Sequence, residues 1–261
     1  VTVTVTPYYE DEWVQLYLGN MREVLPALNV TADAAIVDPP YGETALPWDR
    51  WVDGWPALVA AYTNSMWCFG SMRMFTDRWS EFTEWRLSQD VVGEFEIDTM
   101  VWEKHNGTGF AADRFKRVHE LAVHLYRGSW SEVHHVAVRE AYHGPDKHAR
   151  AGDSRTPHTG LIDKHVYVDD GSRMVRSVIR CPSVRGGMHR TQKPAKVLGP
   201  MIEYAVPPGG SVLDPFAGSA STLLTARQLG RRSIGIESNE EYCERAAKRL
   251  SVPDLFSGGA A

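Results

Sequence analysis

The chain has 261 residues, 43% of them hydrophobic and 23% charged, with a formal net charge of -5. That is one large domain, or a core with an inserted subdomain, of ordinary globular composition. The acidic balance excludes a protein coated in basic surface, though not a local basic groove, and no apolar stretch is long enough to cross a bilayer. No secretory leader pattern opens the chain, and Cys68, Cys181 and Cys243 are widely spaced in no metal-ligand pattern. These features suit a reducing cytoplasm, with no metal expected.

Residues 1–6 alternate Val and Thr and read as an extended tail. Residues 13–18 make a credible strand, ended by Gly19-Asn20. Met21, Val24, Leu25 and Leu28 then recur at helical spacing, with Asn20 placed as N-cap. A buried strand follows over residues 34–37. Strand, short helix, strand is a βαβ rhythm that implies a parallel sheet. This second strand runs into Asp38-Pro39-Pro40-Tyr41-Gly42. The prolines remove two backbone donors and stop the strand, leaving its last carbonyls free. At the carboxyl edge of an open α/β sheet, where ligands bind, this corner presents a carboxylate, carbonyls and an aromatic face. It can hold an amino group on a flat ring, or be merely a Pro-rich turn with a surface Tyr.

Residues 44–55, rich in Trp and Asp, read either as a packed surface loop or as a flap with aromatic faces. The pattern predicts a helix over 56–61, a buried strand over 65–71, an amphipathic helix over 76–87, and strands over 94–104 and 120–126. Between the last two lies Asn106-Gly107-Thr108-Gly109, with Arg114, Lys116 and Arg117 just after. Periodicity then fades over 128–187. Arg139 to Arg190 holds ten Lys or Arg against six Asp or Glu, interleaved with aromatics. A basic, loop-rich insertion on an α/β core suits a nucleic-acid reading element; the alternative is a solvated insertion. Its histidines lack the paired spacing of a zinc site.

A helix over 194–205, opened by Pro194, restores regularity. The strand at 211–214 runs into Pro215-Phe216-Ala217-Gly218-Ser219-Ala220 and a helix over 221–229, stopped by Gly230. The next strand, 233–237, ends in Glu237, and Ser238 or Asn239 caps a last helix over 240–250. This is a mononucleotide-binding half. Small residues let backbone approach a ligand at a helix N-terminus, and an acid about twenty residues on can accept ribose hydroxyls. The loop is not G-x-G-x-x-G, which disfavours a pyrophosphate cradle. Phe216 at its start suits an adenine or thioether ligand.

Together these segments resemble the amino-methylating DNA methyltransferases of the β arrangement, which use S-adenosyl-L-methionine. Asp38-Pro39-Pro40-Tyr41 resembles their catalytic motif, and Asp214-Pro215-Phe216-Ala217-Gly218-Ser219 their methionine-binding loop. Glu237 matches the ribose acid, and Thr191-Gln192-Lys193-Pro194 resembles the segment supporting the cofactor loop. Asn20 stands where such enzymes often have an Asp, and Trp102 to Lys104 with His119-Glu120 fits their later core strands. The order of corner, insertion and cofactor loop distinguishes the β arrangement. The resemblance covers nearly all the chain except residues 130–185, where the family keeps its variable target-recognition region.

The resemblance implies an α/β, Rossmann-like, doubly wound fold, circularly permuted, with a mostly parallel sheet. Its core would be residues 1–129 and 186–261, with a target-recognition insertion at 130–185. It implies methyl transfer to N6 of adenine in double-stranded DNA with base flipping. Cytosine N4 is the nearest alternative; an RNA base, a glutamine amide and a catalytically impaired DNA-binding module are more distant ones. Asp38, Pro39, Pro40 and Tyr41 would be catalytic, Asp38 and the Pro39 carbonyl accepting the amino hydrogens while Tyr41 stacks on the base. Asn20, Asp38, Thr191, Lys193, Asp214, Phe216, Gly218, Ser219, Ala220 and Glu237 would hold the cofactor. Arg150, Arg155, Lys164, Arg173, Arg176, Arg180 and Arg185 would grip DNA. A homodimer is a further expectation by analogy, and the resemblance is to enzymes of restriction-modification, whether orphan or restriction-paired. Ala220 replaces the family's usual Gly; because φ is negative at a helix start, Ala is expected to fit there. Asn20 for Asp trades a charged acceptor for a neutral one.

Overall fold

A computed structural model describes residues 5–85, 99–105, 113, 115–143, 170–184 and 192–252. Thr191, Arg150, Arg155, Lys164, Arg185 and the glycine-rich segment 106–109 lie outside the described residues. The chain divides into a larger unit, Val1–Val136 with Ser177–Ala261, and a smaller one, Ala137–Arg176.

The larger unit opens with β1 (Tyr9–Glu10), β2 (Val14–Leu18), α1 (Met21–Ala27), β3 (Ala34–Val37), α2 (Trp55–Val59) and β4 (Ser65–Gly70). It continues through α3 (Met72–Arg78), β5 (Thr99–Glu103) and β6 (His119–Tyr126). The smaller unit carries β7 (Arg139–Ala141) and β8 (Ser172–Met174), paired antiparallel. The larger unit resumes with β9 (Val178–Arg180), α4 (Ala195–Ala205), β10 (Ser211–Asp214), α5 (Ser221–Gln228), β11 (Arg232–Glu237) and α6 (Glu240–Leu250).

Its nine described strands form one sheet in the order β1-β2-β11-β10-β3-β4-β6-β5-β9. The five from β2 to β4 are parallel, and β6 runs antiparallel between β4 and β5. β3 and β10 are neighbours without being consecutive, Leu213 lying beside Ala35. Strand order reverses there, so a crevice opens outside their carboxyl ends.

The sequence builds this directly. β3 and β4 are buried at every position, as continuous apolar runs require. In β2 the faces alternate: Val14 and Leu16 pack with Leu223, Cys243 and Leu250, while Tyr17 packs with Met21, Val24 and Trp55. Side-chain caps start three helices: Asn20 Oδ1 accepts from Arg22 N (3.0 Å), Ser71 Oγ from Met74 N (2.9 Å) and Asn239 Oδ1 from Tyr242 N (3.1 Å).

Several boundaries differ from expectation. The helix placed at 76–87 starts at Met72, where Ser71 caps it, and gives way to a tighter 3-10 segment, Trp79–Trp85, bent at Phe82. The bend lets Phe82 and Trp85 both be buried, Phe82 edge-on to Trp55 at 5.7 Å. β1, in the stretch before the first expected strand, pairs with β2. The smaller unit is narrower than the 130–185 expected for the insertion. Trp130 stacks on His135 at 3.9 Å within the larger unit, and β9 pairs with β5.

Gly235 marks where α5 presses on β11: a Cβ there would stand 2.5 Å from Leu223 Cδ2 and 3.1 Å from Ala217 Cβ. Gly235→Ala is expected to cost about 1–3 kcal/mol by overpacking. The measurement is the urea midpoint, which should fall with its slope unchanged; an unmoved midpoint would mean α5 can ride outward freely.

Candidate active site

β3 delivers Asp38 to the carboxyl edge, and Pro39 and Pro40 stop the chain there. Both carboxylate oxygens are engaged: Oδ1 accepts from the Tyr41 hydroxyl (2.8 Å) and Oδ2 from Lys193 Nζ (2.5 Å). Lys193, only 7% exposed, also stands 3.3 Å from Glu120 Oε2 and 4.9 Å from the centre of the Phe69 ring. Lys104 donates to the other oxygen of Glu120. Burial works against the charged form of Lys193, but Asp38 and Glu120 outweigh it and hold the ammonium above its usual range. Burial likewise opposes the charge on Glu120, yet Lys193 and Lys104 hold that carboxyl below its usual range. Burial, with Asp38 beside it, pushes the Tyr41 phenol well up, so the hydroxyl keeps its proton to donate.

The loop after the corner is fixed from within. Asp49, 3% exposed, accepts from the backbone amides of Gly42 (2.7 Å), Glu43 (3.0 Å) and Thr44 (2.7 Å). Trp55 is fully buried and Trp51 packs against it at 5.9 Å, so this part of the loop is packed. Trp48 lies at the cavity rim.

β10, α5 and β11 form the second half of the site. Glu237, 8% exposed, accepts from Gly218 N through Oε2 (2.8 Å) and from Asn239 N through Oε1 (2.7 Å). It thereby ties the loop after β10 to the end of β11. Burial raises its pKa, the amides opposing. Asp214 Oδ1 accepts from Phe216 N at 3.1 Å, and burial pushes its carboxyl up to about 7 despite that bond and one from Thr222. Phe216 sits edge-on to Trp55 at 5.6 Å. From below, Arg249 donates to the Ser219 carbonyl (2.8 Å) and to Ser221 Oγ (2.9 Å).

One expectation needs correction. Ala220 has φ 57° and ψ 33°, the left-handed region, and is the one non-glycine residue with positive φ among the described residues. The expected negative φ takes Ala220 as the first residue of the helix; it is instead the cap before it. The conformation costs about 1–2 kcal/mol for an L-residue, offset in part by the methyl, buried beside Leu223. Lys193, expected among the cofactor residues, lines the cavity and places its ammonium on Asp38. Asn20 does line the cavity, though its Oδ1 serves as the helix cap.

Corner and cradle face one cavity of about 1150 Å³. That exceeds the ~300–1,000 Å³ of ordinary small-molecule sites and gives room for two ligands to meet. Arg50, Arg73 and Arg117 line it and are exposed, a basic rim assembled from segments far apart in sequence. Glu120 and Asp49 were missed; nothing local marks a strand acid, or one Asp among several, as part of a site. Among the expected DNA contacts, Arg173 pairs with Glu140 (2.6 Å) beside Tyr142, and Arg176 is exposed, both in the smaller unit. Arg180 belongs to the larger unit, on β9, paired with Glu103 (2.8 Å).

Comparison with known proteins matches residues 32–249 to the DNA methylase (N6/N4) family model. The chain belongs to that family. It is 26% identical to the type II methyltransferase M2.LlaDCHI of Lactococcus lactis subsp. cremoris over 267 residues, covering 94% of this chain and 92% of the relative. With the type II methyltransferase M2.DpnII of Streptococcus pneumoniae it shares 36% identity over 108 residues, but that match covers only 40% of either chain. The M1.HpyAVI structure, solved as a complex with SAM, superposes with a TM-score of 0.61 at 23% identity, covering 92% of this chain and all of that one. The cytosine-N4-specific PvuII DNA methyltransferase superposes with a TM-score of 0.57 at 14% identity, covering 97% and 91%. These two likenesses establish the Rossmann-like methyltransferase fold.

Asp214 makes the site pH-sensitive. Its folded-state pKa, about 7, lies above the ordinary carboxyl range, so the folded chain binds the extra proton. The associated stability is complete below the unfolded pKa and is lost as pH rises through about 7. Asp214→Asn keeps the acceptor for Phe216 N and does not titrate. Relative to the parent, its melting temperature is expected to rise between pH 5 and pH 8, by on the order of a few degrees. A pH-independent difference would remove the buried acid from this account.

Proposed function

We propose that this protein transfers a methyl group from S-adenosyl-L-methionine to the exocyclic N6 of adenine in double-stranded DNA, with the base flipped into the Asp38 corner. The observation that carries the reading is the meeting of two half-sites in one cavity: a pinned carboxylate beside two prolines, and a backbone cradle closed by Glu237.

The cradle fits the cofactor chemically. Glu237 would offer its remaining lone pairs to ribose hydroxyls, Gly218 (φ 51°) leaves the backbone open, and Asp214 lines the same cavity. When bound, this cofactor supplies a methyl already activated on a sulfonium. The protein's task is therefore alignment. An aromatic amine is a poor nucleophile because its lone pair is delocalised into the ring. Asp38 and the Pro39 carbonyl accept its two hydrogens and turn the lone pair outward. Tyr41 fixes Asp38 through its hydroxyl and offers its ring to the base. Arg50, Arg73 and Arg117 at the rim, and Arg176 in the smaller unit, are placed in exposed positions suited to phosphates.

Adenine is favoured over cytosine by the Asp at the head of the corner, the tendency of the enzymes it resembles. N4 of cytosine is the second reading, supported by the breadth of the family and the PvuII likeness.

The test is base-resolved sequencing of DNA from cells otherwise free of methylation that express the chain. N6-methyladenine in one short sequence is the expected result. N4-methylcytosine would move the assignment to the second reading, and unmodified DNA from a folded, cofactor-binding protein would overturn both. Asp38→Ala is expected to lower kcat at least ~10²-fold, the scale of losing one preorganised polar contact. Cofactor affinity should change little; normal turnover by this variant would remove Asp38 from the mechanism.

A further inference from the structure

Asp38, Lys193, Glu120 and Lys104 form an unbroken series of alternating charge running from the corner into the sheet. The contacts are Asp38 Oδ2 to Lys193 Nζ (2.5 Å), Lys193 Nζ to Glu120 Oε2 (3.3 Å), and Lys104 to Glu120 Oε1. Its members come from four places: the end of β3, the approach to α4, strand β6 and the residue after β5. A buried ion pair is weak evidence for stability, since apolar replacements of similar volume often do as well. The arrangement therefore calls for an explanation other than folding.

We propose that Lys193 is a positioning residue, held by Glu120, whose ammonium aims the Asp38 carboxylate at the target amino group. Tyr41 pins Oδ1 and Lys193 pins Oδ2, so the plane of the carboxylate is set before a base arrives. The free lone pair of each oxygen then points in a fixed direction. With both oxygens already accepting from donors, Asp38 holds an N–H rather than taking its proton, which leaves to water. Lys193 cannot take it either, since Asp38 and Glu120 keep it an ammonium. This inference rests on the methyltransferase reading for its catalytic part and on the contacts alone for its structural part.

Two measurements keep those parts separate. The first needs no catalysis: a double-mutant cycle of Asp38→Asn and Lys193→Met on urea midpoints of the ligand-free protein. Asp38→Asn is expected to lower the midpoint in the parent, where it leaves an ammonium underpaired, and much less beside Lys193→Met. Additive shifts would overturn the pair whatever the chain's activity. The second is kinetic. Lys193→Met is expected to lower kcat about 10²-fold, the loss that misplacement by ~1 Å produces. Titration calorimetry should show cofactor and DNA dissociation constants within about threefold of the parent, the split expected when only transition-state alignment is lost. Lys193→Ala should regain activity with added propylammonium and not with propanol, which a merely structural role would not predict. Glu120→Gln, which keeps Lys193 but removes one of its anchors, should show the same split more weakly, and it serves if the Lys193 variants do not fold. Loss of cofactor binding in step with kcat would return Lys193 to the cradle and overturn the proposal, as would a kcat near that of the parent. A parent that binds cofactor but methylates no DNA would sink the methyltransferase reading, while the stability cycle still decides the pair.

Discussion

Removing acids from water at the carboxyl edge of one sheet is the constraint on which this structure depends. Asp38, Asp49, Glu120, Asp214 and Glu237 all reach that edge, and a partly dry site cannot hold so many like charges unpaired. Each is answered differently. Asp49 takes three backbone amides and Glu237 two, while Asp38 and Glu120 take lysines. Asp214 has the least relief, and burial pushes it up to about 7. The differences sort the acids. Those bound by amides lock loops, those bound by lysines form a charged corner, and Asp214 is left to answer burial with its own titration.

Punctuation and short-range pattern were legible in the sequence; destinations across the chain were not. The corner and the cradle could be read because prolines, glycines and strand ends act on their immediate neighbours. Strands β3, β4, β10 and β11 fall where apolar runs placed them, because a strand buried on both faces needs no other signal. Lys193 lies 155 residues from Asp38, and the sheet alone brings them together. Nothing near Lys193 in sequence marks Asp38 as the group its ammonium reaches. The Trp79–Trp85 bend was illegible for a related reason: a helical period fits the stretch until burial of Phe82 against Trp55, and of Trp85 with its indole N–H on the Pro56 carbonyl, breaks it.

The basic stretch of the sequence shows the same limit. Composition marks residues 139–190 as basic, but composition does not say which residues fold as a unit. Ala137–Arg176 separate, whereas Val178–Arg180 extends the main sheet, so Arg180 spends its charge on Glu103. Meanwhile the core has a basic rim of its own in Arg50, Arg73 and Arg117, drawn from two loops and the start of α3.

Ala220 links the fold's rigidity to its chemistry. A non-glycine residue persists in the left-handed region only when its surroundings over-determine it. Here they do. Ala217 N donates to Ile236 O (2.8 Å), Ala220 N to Ala217 O (2.7 Å) and Gly218 N to Glu237, while Arg249 grips the loop on either side of Ala220. A loop held this firmly keeps its shape without the residue best suited to it. It is therefore shaped before any ligand arrives, and less ordering has to accompany binding. The Asp38 corner follows the same design, its carboxylate pinned at both oxygens by groups the protein supplies.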